Sequence, residues 1–362
     1  MRPNNEAELA EMIKVAQGPL KIQGGDTRRI GAAQGAVLET CGLSGITLYE
    51  PGALTLVARA GTPLAEVKAA LATEGQRLSF EPMDYRGLQG STAEPTIGGV
   101  VASNSSGPRR ITAGACRDSL IGVRFVDGTG RILKNGGRVM KNVTGYDLVK
   151  LMAGSYGTLG VITEVSFKVL PAPKASATVV LTGLDDVAGV GAMSAALGMP
   201  YDVNGAARVG NVTALRIEGL EDSVKYRAAA LADKLDGEIG AFDWAALRDV
   251  HAFADQKGDV WQFSIKPSDA PELVARLSAD AVQYDWGGGL IWAITAKGVD
   301  LRARMGDIPG HATLVRASAE TRAHIATFHP EPPAISRIAA GLRARFDPRG
   351  ILNQGLMTGP DT

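Results

Sequence analysis

Apolar positions change period several times along the chain, and each change marks an element. After Asn4 and Asn5, Leu9, Met12, Ile13 and Ala16 fall at helical spacing, which predicts a short capped helix. Pro19–Gln23 then alternates like a strand and runs directly into Gly24-Gly25. Ile46–Tyr49 and Thr55–Ala58 read as two strands around Glu50-Pro51-Gly52. Thr62 as N-cap and Pro63 at the first helical position predict a helix with Leu64, Val67 and Leu71 on one face, closed by Gly75. Residues 122–133 form a hairpin turning at Asp127-Gly128, and Val161–Leu170 is an alternating strand that stops at Pro171–Lys174.

Beyond that proline pair the pattern resets. Thr178–Leu181 reads as a strand, Val187–Leu197 as a helix and Ala207–Ile217 as a hairpin broken at Gly210-Asn211. Val224, Ala228, Leu231 and Leu235 then share a helix face. Trp261–Ile265, the segment 270–279 and glycine-broken strands around Trp286 and Trp292 repeat the succession loosely, predicting two βαββ-like halves. A last helix spans Ser336–Phe346 and stops at Asp347–Gly350, leaving Ile351-Leu352 to pack elsewhere. The expected organisation is a first domain over 1–172, an α+β domain over 173–332 and a C-terminal segment, 333–362, returning to the first.

Composition narrows the function classes. The 362 residues carry 38 basic and 38 acidic side chains, so nothing calls for nucleic acid or an anionic surface. The 45 glycines show no collagen-like period and cluster between apolar runs, as turns do. Two cysteines, Cys41 and Cys116, are too few for an iron–sulfur cluster, and the four histidines lack metal-ligand spacing, so no metal site is expected. With no apolar leader after Met1 and no membrane-length apolar run, the expectation is a soluble, cytoplasmic chain.

Three glycine-centred stretches carry the chemistry: Gln23–Arg28, Thr96–Gly107 and Gly154–Gly160. Glycine turns let successive amides converge on an anion, so several in one domain point to a large phosphate-bearing cofactor. The β-β-α order does not match a Rossmann unit opening with G-x-G-x-x-G, which disfavours a nicotinamide cofactor. Arg109, Arg110 and Arg117 follow the second stretch as candidates to neutralise phosphate.

These residues, with Val139–Asp147 and Phe346–Asn353, resemble the FAD-binding subunits of bacterial glycolate oxidase, or glycolate dehydrogenase, in the vanillyl-alcohol-oxidase-like (PCMH-type) superfamily. The resemblance implies an α+β, two-subdomain PCMH-type FAD-binding fold with a smaller ferredoxin-like α+β domain and a C-terminal return. It implies a first pyrophosphate turn at Gly24, Gly25, Asp26, Thr27 and Arg28, and a second at Gly98, Gly99, Ser103, Asn104 and Gly107. Thr158, Gly160, Val161 and Ile162 would hold the adenine and ribose side, and Asn353 would approach the flavin ring. Gln23, Thr96, Ile97, Arg110 and Gly157 complete the expected cofactor set.

Asp26, where covalently flavinylated relatives carry histidine, implies non-covalent FAD. The histidine-rich H-x-G-D-G-N type motif of the catalytic partner subunit is absent. Tyr146, Lys141 and Arg138 could supply part of a hydroxy-acid site or be structural, and no residue is assigned as catalytic. The Trp286–Trp292 stretch is open between core packing and a flavin or subunit contact. The expected partners are a homologous catalytic flavin subunit and an iron–sulfur subunit, and the expected reaction of the complex is glycolate to glyoxylate. Peripheral contact with the inner membrane would come through those partners. The rival expectations are a free-standing FAD dehydrogenase for another 2-hydroxy acid or sugar, and a non-catalytic flavin-fold scaffold.

Overall fold

A computed structural model describes residues 1–137 and 145–357. The chain divides into two compact units. The first comprises Met1–Ser106, Gly114–Ala172 and the chain from Pro330 on; the second comprises Gly107–Ala113 and Pro173–His329.

In the first unit, β1 (Leu20–Gln23) pairs in parallel with β2 (Ala36–Glu39). An antiparallel sheet runs in the order β3 (Ile46–Glu50), β4 (Thr55–Arg59), β8 (Val161–Lys168), β6 (Leu120–Val126) and β7 (Ile132–Gly136). The short strands β5 (Gln76–Arg77) and β9 (Leu170–Pro171) pair separately. The helix Leu64–Thr73 sets Leu64, Val67 and Leu71 into one core with Leu56, Phe125, Val165 and Phe167. Its observed start is one residue later than the sequence suggests. Thr62 does not cap it, because its hydroxyl donates to the Arg59 and Gly45 carbonyls instead.

A second core joins the N-terminal helix Glu6–Val15 to β1 and the C-terminal segment through Leu9, Ile13, Leu20, Leu38, Ile351 and Leu352. Asn5 caps that helix by accepting from the Glu8 amide. Leu352 lies as a parallel bridge beside Leu20, with the Leu20 amide donating to the Ile351 carbonyl. The return is pinned from two sides. Arg349 donates to the Ile13, Lys14, Ala16 and Gly128 carbonyls, and Asp347 accepts from the Leu352 amide.

The β6–β7 turn is held by Asp127, fully buried, which accepts from the Thr129 hydroxyl and amide and from Arg131. Burial pushes its carboxyl up, but those hydrogen bonds outweigh it and hold the group below the usual carboxylate range. A depressed native pKa stabilises the fold fully above the unfolded value of about 3.9 and loses that contribution as pH falls through the native value. Denaturant unfolding of the first unit should therefore weaken below about pH 4. Asp127→Asn should flatten that acid limb; an unchanged limb would place the acid sensitivity elsewhere.

The second unit is one antiparallel sheet of eight strands in the order β13, β10, β12, β11, β15, β16, β14, β17. Its strands are β10 (Ala175–Thr182), β11 (Val203–Val209), β12 (Val212–Gly219), β13 (Glu238–Ile239), β14 (Asp259–Ile265), β15 (Ala281–Asp285), β16 (Leu290–Thr295) and β17 (Gly310–Arg316). Helices Asp186–Gly198 and Glu221–Leu235 connect the first four strands in β-α-β-β-α-β succession, the ferredoxin-like arrangement. The second four repeat the strand order in mirror image about the β11–β15 pairing. There the helix Ala270–Leu277 is kept, but only the short turn Arg302–Met305 stands between β16 and β17. The two halves thus share one sheet and one core, with Val179, Leu215, Trp261, Phe263 and Ile291 in it.

Candidate FAD site

A cavity of about 570 Å³ opens in the first unit at the C-terminal end of β1, within the usual range for cofactor clefts. Three segments build it. The chain leaves β1 at Gln23 and turns through Gly24 and Gly25, with Asp26 in the left-handed region at φ 49°. The helix Ile97–Ala102, capped by Thr96, forms a second wall. The loop Gly154–Gly160 forms the third, hung on that helix by the Gly154 and Tyr156 amides, which donate to the Val101 and Ala102 carbonyls.

The glycines do not all serve one purpose. A Cβ on Gly25 would lie 1.6 Å from the Glu94 carbonyl oxygen, and one on Gly98 would lie 2.6 Å from the Ala60 Cβ. Both glycines let protein segments approach each other. Gly99 alone of this group points its missing side chain into open space, with only the Thr96 hydroxyl, at 3.3 Å, nearby. The amides differ in the same way. Gly98 N–H donates to the Ala60 carbonyl and Gly99 N–H to the Thr96 hydroxyl. Among the described residues, no protein acceptor takes any backbone N–H from Gly25 to Ala33. The first turn, not the second, therefore offers the free donors an anion needs.

Arg28 adds charge to those donors. Its guanidinium lies 4.0 Å over the Tyr85 ring, its Nη1 reaches the Gly99 carbonyl at 3.4 Å, and its buried Nε has no acceptor among the described residues. Lys21 and Arg29 line the same wall. Arg29 also pairs with Asp26 at 3.0 Å, an exposed contact of small energetic weight. Desolvation, helped by Tyr85 and opposed by Arg28, pushes the Tyr156 phenol up to about 12, so it stays neutral at physiological pH. An orphaned cationic donor, a run of free amides and a glycine cradle suit a bound diphosphate.

Of the residues expected from the sequence, Gln23, Gly24, Gly25, Asp26, Thr27, Arg28, Thr96, Gly98, Gly99, Ser103, Gly157, Gly160, Ile162 and Asn353 come together on this wall. Others lie off it. Ile97, on the helix, and Val161, on β8, are wholly buried in the cores and do not line the cavity. Thr158 spends its hydroxyl on the Ser155 carbonyl, and Asn104 accepts from the Arg117 amide. Gly107 and Arg110 belong to the second unit: the Gly107 carbonyl accepts from the Trp286 indole, and the Arg110 guanidinium lies 4.5 Å over the Trp286 ring. Arg109 is likewise committed there, to Glu218 at 2.5 and 2.7 Å. Arg109 and Arg110 thus contact a carboxylate and an aromatic ring of the second unit.

Sequence reasoning missed Arg29–Ala33 and Tyr156 as wall residues. The available signals were the small residues Gly31, Ala32 and Ala33 after the first turn, and an aromatic inside the third glycine stretch. Tyr146 is 89% exposed, and Arg138 and Lys141 lie outside the described residues.

Comparison with known proteins decides the family. Residues 1–136 match the family described as FAD binding domain. The chain is 37% identical to glycolate oxidase subunit GlcE of Escherichia coli over 346 residues, covering 94% of this chain and 92% of that protein. The chain belongs to the GlcE family. It is also 31% identical to glycolate oxidase subunit GlcD of Bacillus subtilis over 183 residues, but those span only 37% of that protein. In three dimensions this GlcE-family chain matches alkyldihydroxyacetonephosphate synthase with a TM-score of 0.72 at 16% identity, covering 98% of this chain and 76% of the other. That likeness establishes the PCMH-type FAD-binding fold. The family's cofactor is FAD, and the free amides and Arg28 fit its diphosphate. Among the described residues of this GlcE-family chain, no helix is long and apolar enough to cross a membrane.

Proposed function

We propose that this chain is the FAD-binding subunit of a complex that oxidises glycolate to glyoxylate. The observation that carries the reading is the run of unpartnered amides from Gly25 to Ala33 beside the orphaned Arg28 Nε, in a chain similar to GlcE over nearly its whole length. When bound, the flavin would supply the acceptor for a hydride, which carries both electrons of the oxidation. The protein's part is to hold it. Gly25–Arg28 and Gly99 would seat the diphosphate, Ile162 and Gly160 the adenosine side, and Asn353 the end nearer the ring. The cavity wall holds no histidine or cysteine among the described residues, which supports a non-covalent cofactor.

The partners in this reading are a homologous catalytic flavin subunit and an iron–sulfur subunit. Cys116 is fully buried, its thiol pushed up by desolvation, and Cys41 donates to the Gly24 carbonyl. Neither is arranged to build a cluster, so electrons leave across an interface. The purified chain should be yellow, should release its flavin on acid precipitation, and should reduce an artificial dye with glycolate only beside its companions. Turnover by the chain alone would establish a free-standing dehydrogenase instead, and a colourless chain that stays colourless in the complex would establish a scaffold.

A further inference from the structure

We infer that Tyr85 is a positioning residue for the cofactor: its ring holds the Arg28 guanidinium by the face, so that the edge donors of that arginine stay open to the FAD diphosphate. Tyr85 is 7% exposed and does not line the cavity, whereas Arg28 does. A guanidinium carries its five N–H donors in its plane and none on its face. An arginine anchored by a carboxylate spends two of those donors on the anchor, and one stacked on a ring spends none. Arg28 is anchored in the second way, 4.0 Å from the Tyr85 ring centroid. Its one acceptor among the described residues is the Gly99 carbonyl, at a long 3.4 Å, and its buried Nε has none.

Arg86, the next residue after Tyr85, is anchored in the first way. Its Nε and Nη2 reach the two Asp84 oxygens at 3.1 and 2.8 Å, and its Nη1 reaches Glu94 at 2.8 Å. That arginine braces the Tyr85 segment and has little left for a ligand. The same segment is registered on the first turn of the cavity. The Ser91 hydroxyl donates to the Asp26 carbonyl at 3.3 Å, and the Glu94 carbonyl packs where Gly25 lacks a side chain. Tyr85 is thereby set beside the free amides that follow Gly25. The titratable groups that feel Arg28 are the Tyr156 phenol and the Cys116 thiol, both pushed up by burial and so neutral. A half-buried cation among neutral groups is poorly compensated until an anion arrives.

The inference rests on the FAD reading above, and the test separates the two. Apoprotein of the full chain is titrated with FAD and with ADP, by flavin fluorescence and calorimetry. Tyr85→Leu should weaken FAD about tenfold, and Tyr85→Phe, which keeps the ring, should bind like wild type. Arg28→Met should weaken FAD by more than about tenfold. In that background Tyr85→Leu should cost nothing further, a result that a merely structural tyrosine would not give. ADP carries the diphosphate without the flavin and should show the same ratios. Wild-type affinity in Tyr85→Leu, the same loss with and without Arg28, or a loss for FAD but not ADP overturns the inference and leaves the FAD reading standing. A loss in Tyr85→Phe equal to that in Tyr85→Leu assigns the effect to the hydroxyl and overturns it too. Should Tyr85→Leu fail to fold, Arg28→Lys decides, because lysine keeps the charge but has no plane to lie on the ring. Wild-type affinity there overturns the inference, and a loss close to that of Arg28→Met upholds it. Failure of the unaltered chain to take up FAD, alone or beside its companions, overturns both readings.

Discussion

Gly99→Val should abolish FAD retention while leaving the apoprotein folded. The glycine's side-chain direction opens into the cavity, and the nearest atom to an added Cβ is the Thr96 hydroxyl at 3.3 Å. Valine is a better helix former than glycine, so the change carries no propensity cost and the thermal transition of the apoprotein should barely move. The branched side chain would instead stand where the cofactor's phosphates approach the helix, and flavin affinity should fall by about 100-fold or more, a loss on the order of 3 kcal/mol. Flavin per chain, read from the visible spectrum after gel filtration, checks this. Full occupancy would show that the diphosphate lies elsewhere. The contrast is Gly25, where even alanine would collide with the Glu94 carbonyl; loss of flavin there would report a broken loop.

Asn353→Ala should strongly destabilise the first unit. Asn353 is 5% exposed and sits in the left-handed region at φ 45°. Its Oδ1 accepts from the Ile22 amide at 2.7 Å, and its Nδ2 donates to the Tyr156 carbonyl at 2.6 Å. One side chain thereby ties the C-terminal return to β1 and to the third wall of the cavity. Gly157 makes room for it, since a Cβ there would lie 2.9 Å from Nδ2. Alanine leaves two backbone groups without partners and keeps the strained φ, together costing about 3 kcal/mol and roughly 10 °C in the first unit's melting transition. Flavin affinity should fall with it, because the strand end and Tyr156 are no longer registered. Asn353→Gly relieves the strain but not the lost bonds, so it should recover only part of the stability. A melting temperature within about 2 °C of wild type would show that the clamp carries no energy.

The elements were legible because their signals are local. Helical spacing at Leu9, Ile13 and Leu64, Val67, Leu71, and the Asp127-Gly128 turn, reflect periodicity and turn chemistry that tertiary contacts only reinforce. The glycine clusters marked the cofactor domain for the same reason. Their individual roles were not legible. Gly25, Gly98 and Gly99 look alike in sequence, yet two are spaced for Glu94 and Ala60 and one for the cavity. Arg109 and Arg110 follow a phosphate-like run but are claimed by Glu218 and Trp286, residues more than a hundred positions away.

By itself the sequence determined the class of the protein: two α+β units, a glycine-built cofactor domain and a family signature, all written in short-range spacing. Only the tertiary structure decided which amides remain free, which glycine faces the cavity, and that Asn353 locks the last strand-like segment against the first. Those outcomes depend on which distant segments the fold brings to each donor, acceptor and void, and a buried polar group takes the partner that the packing brings to it.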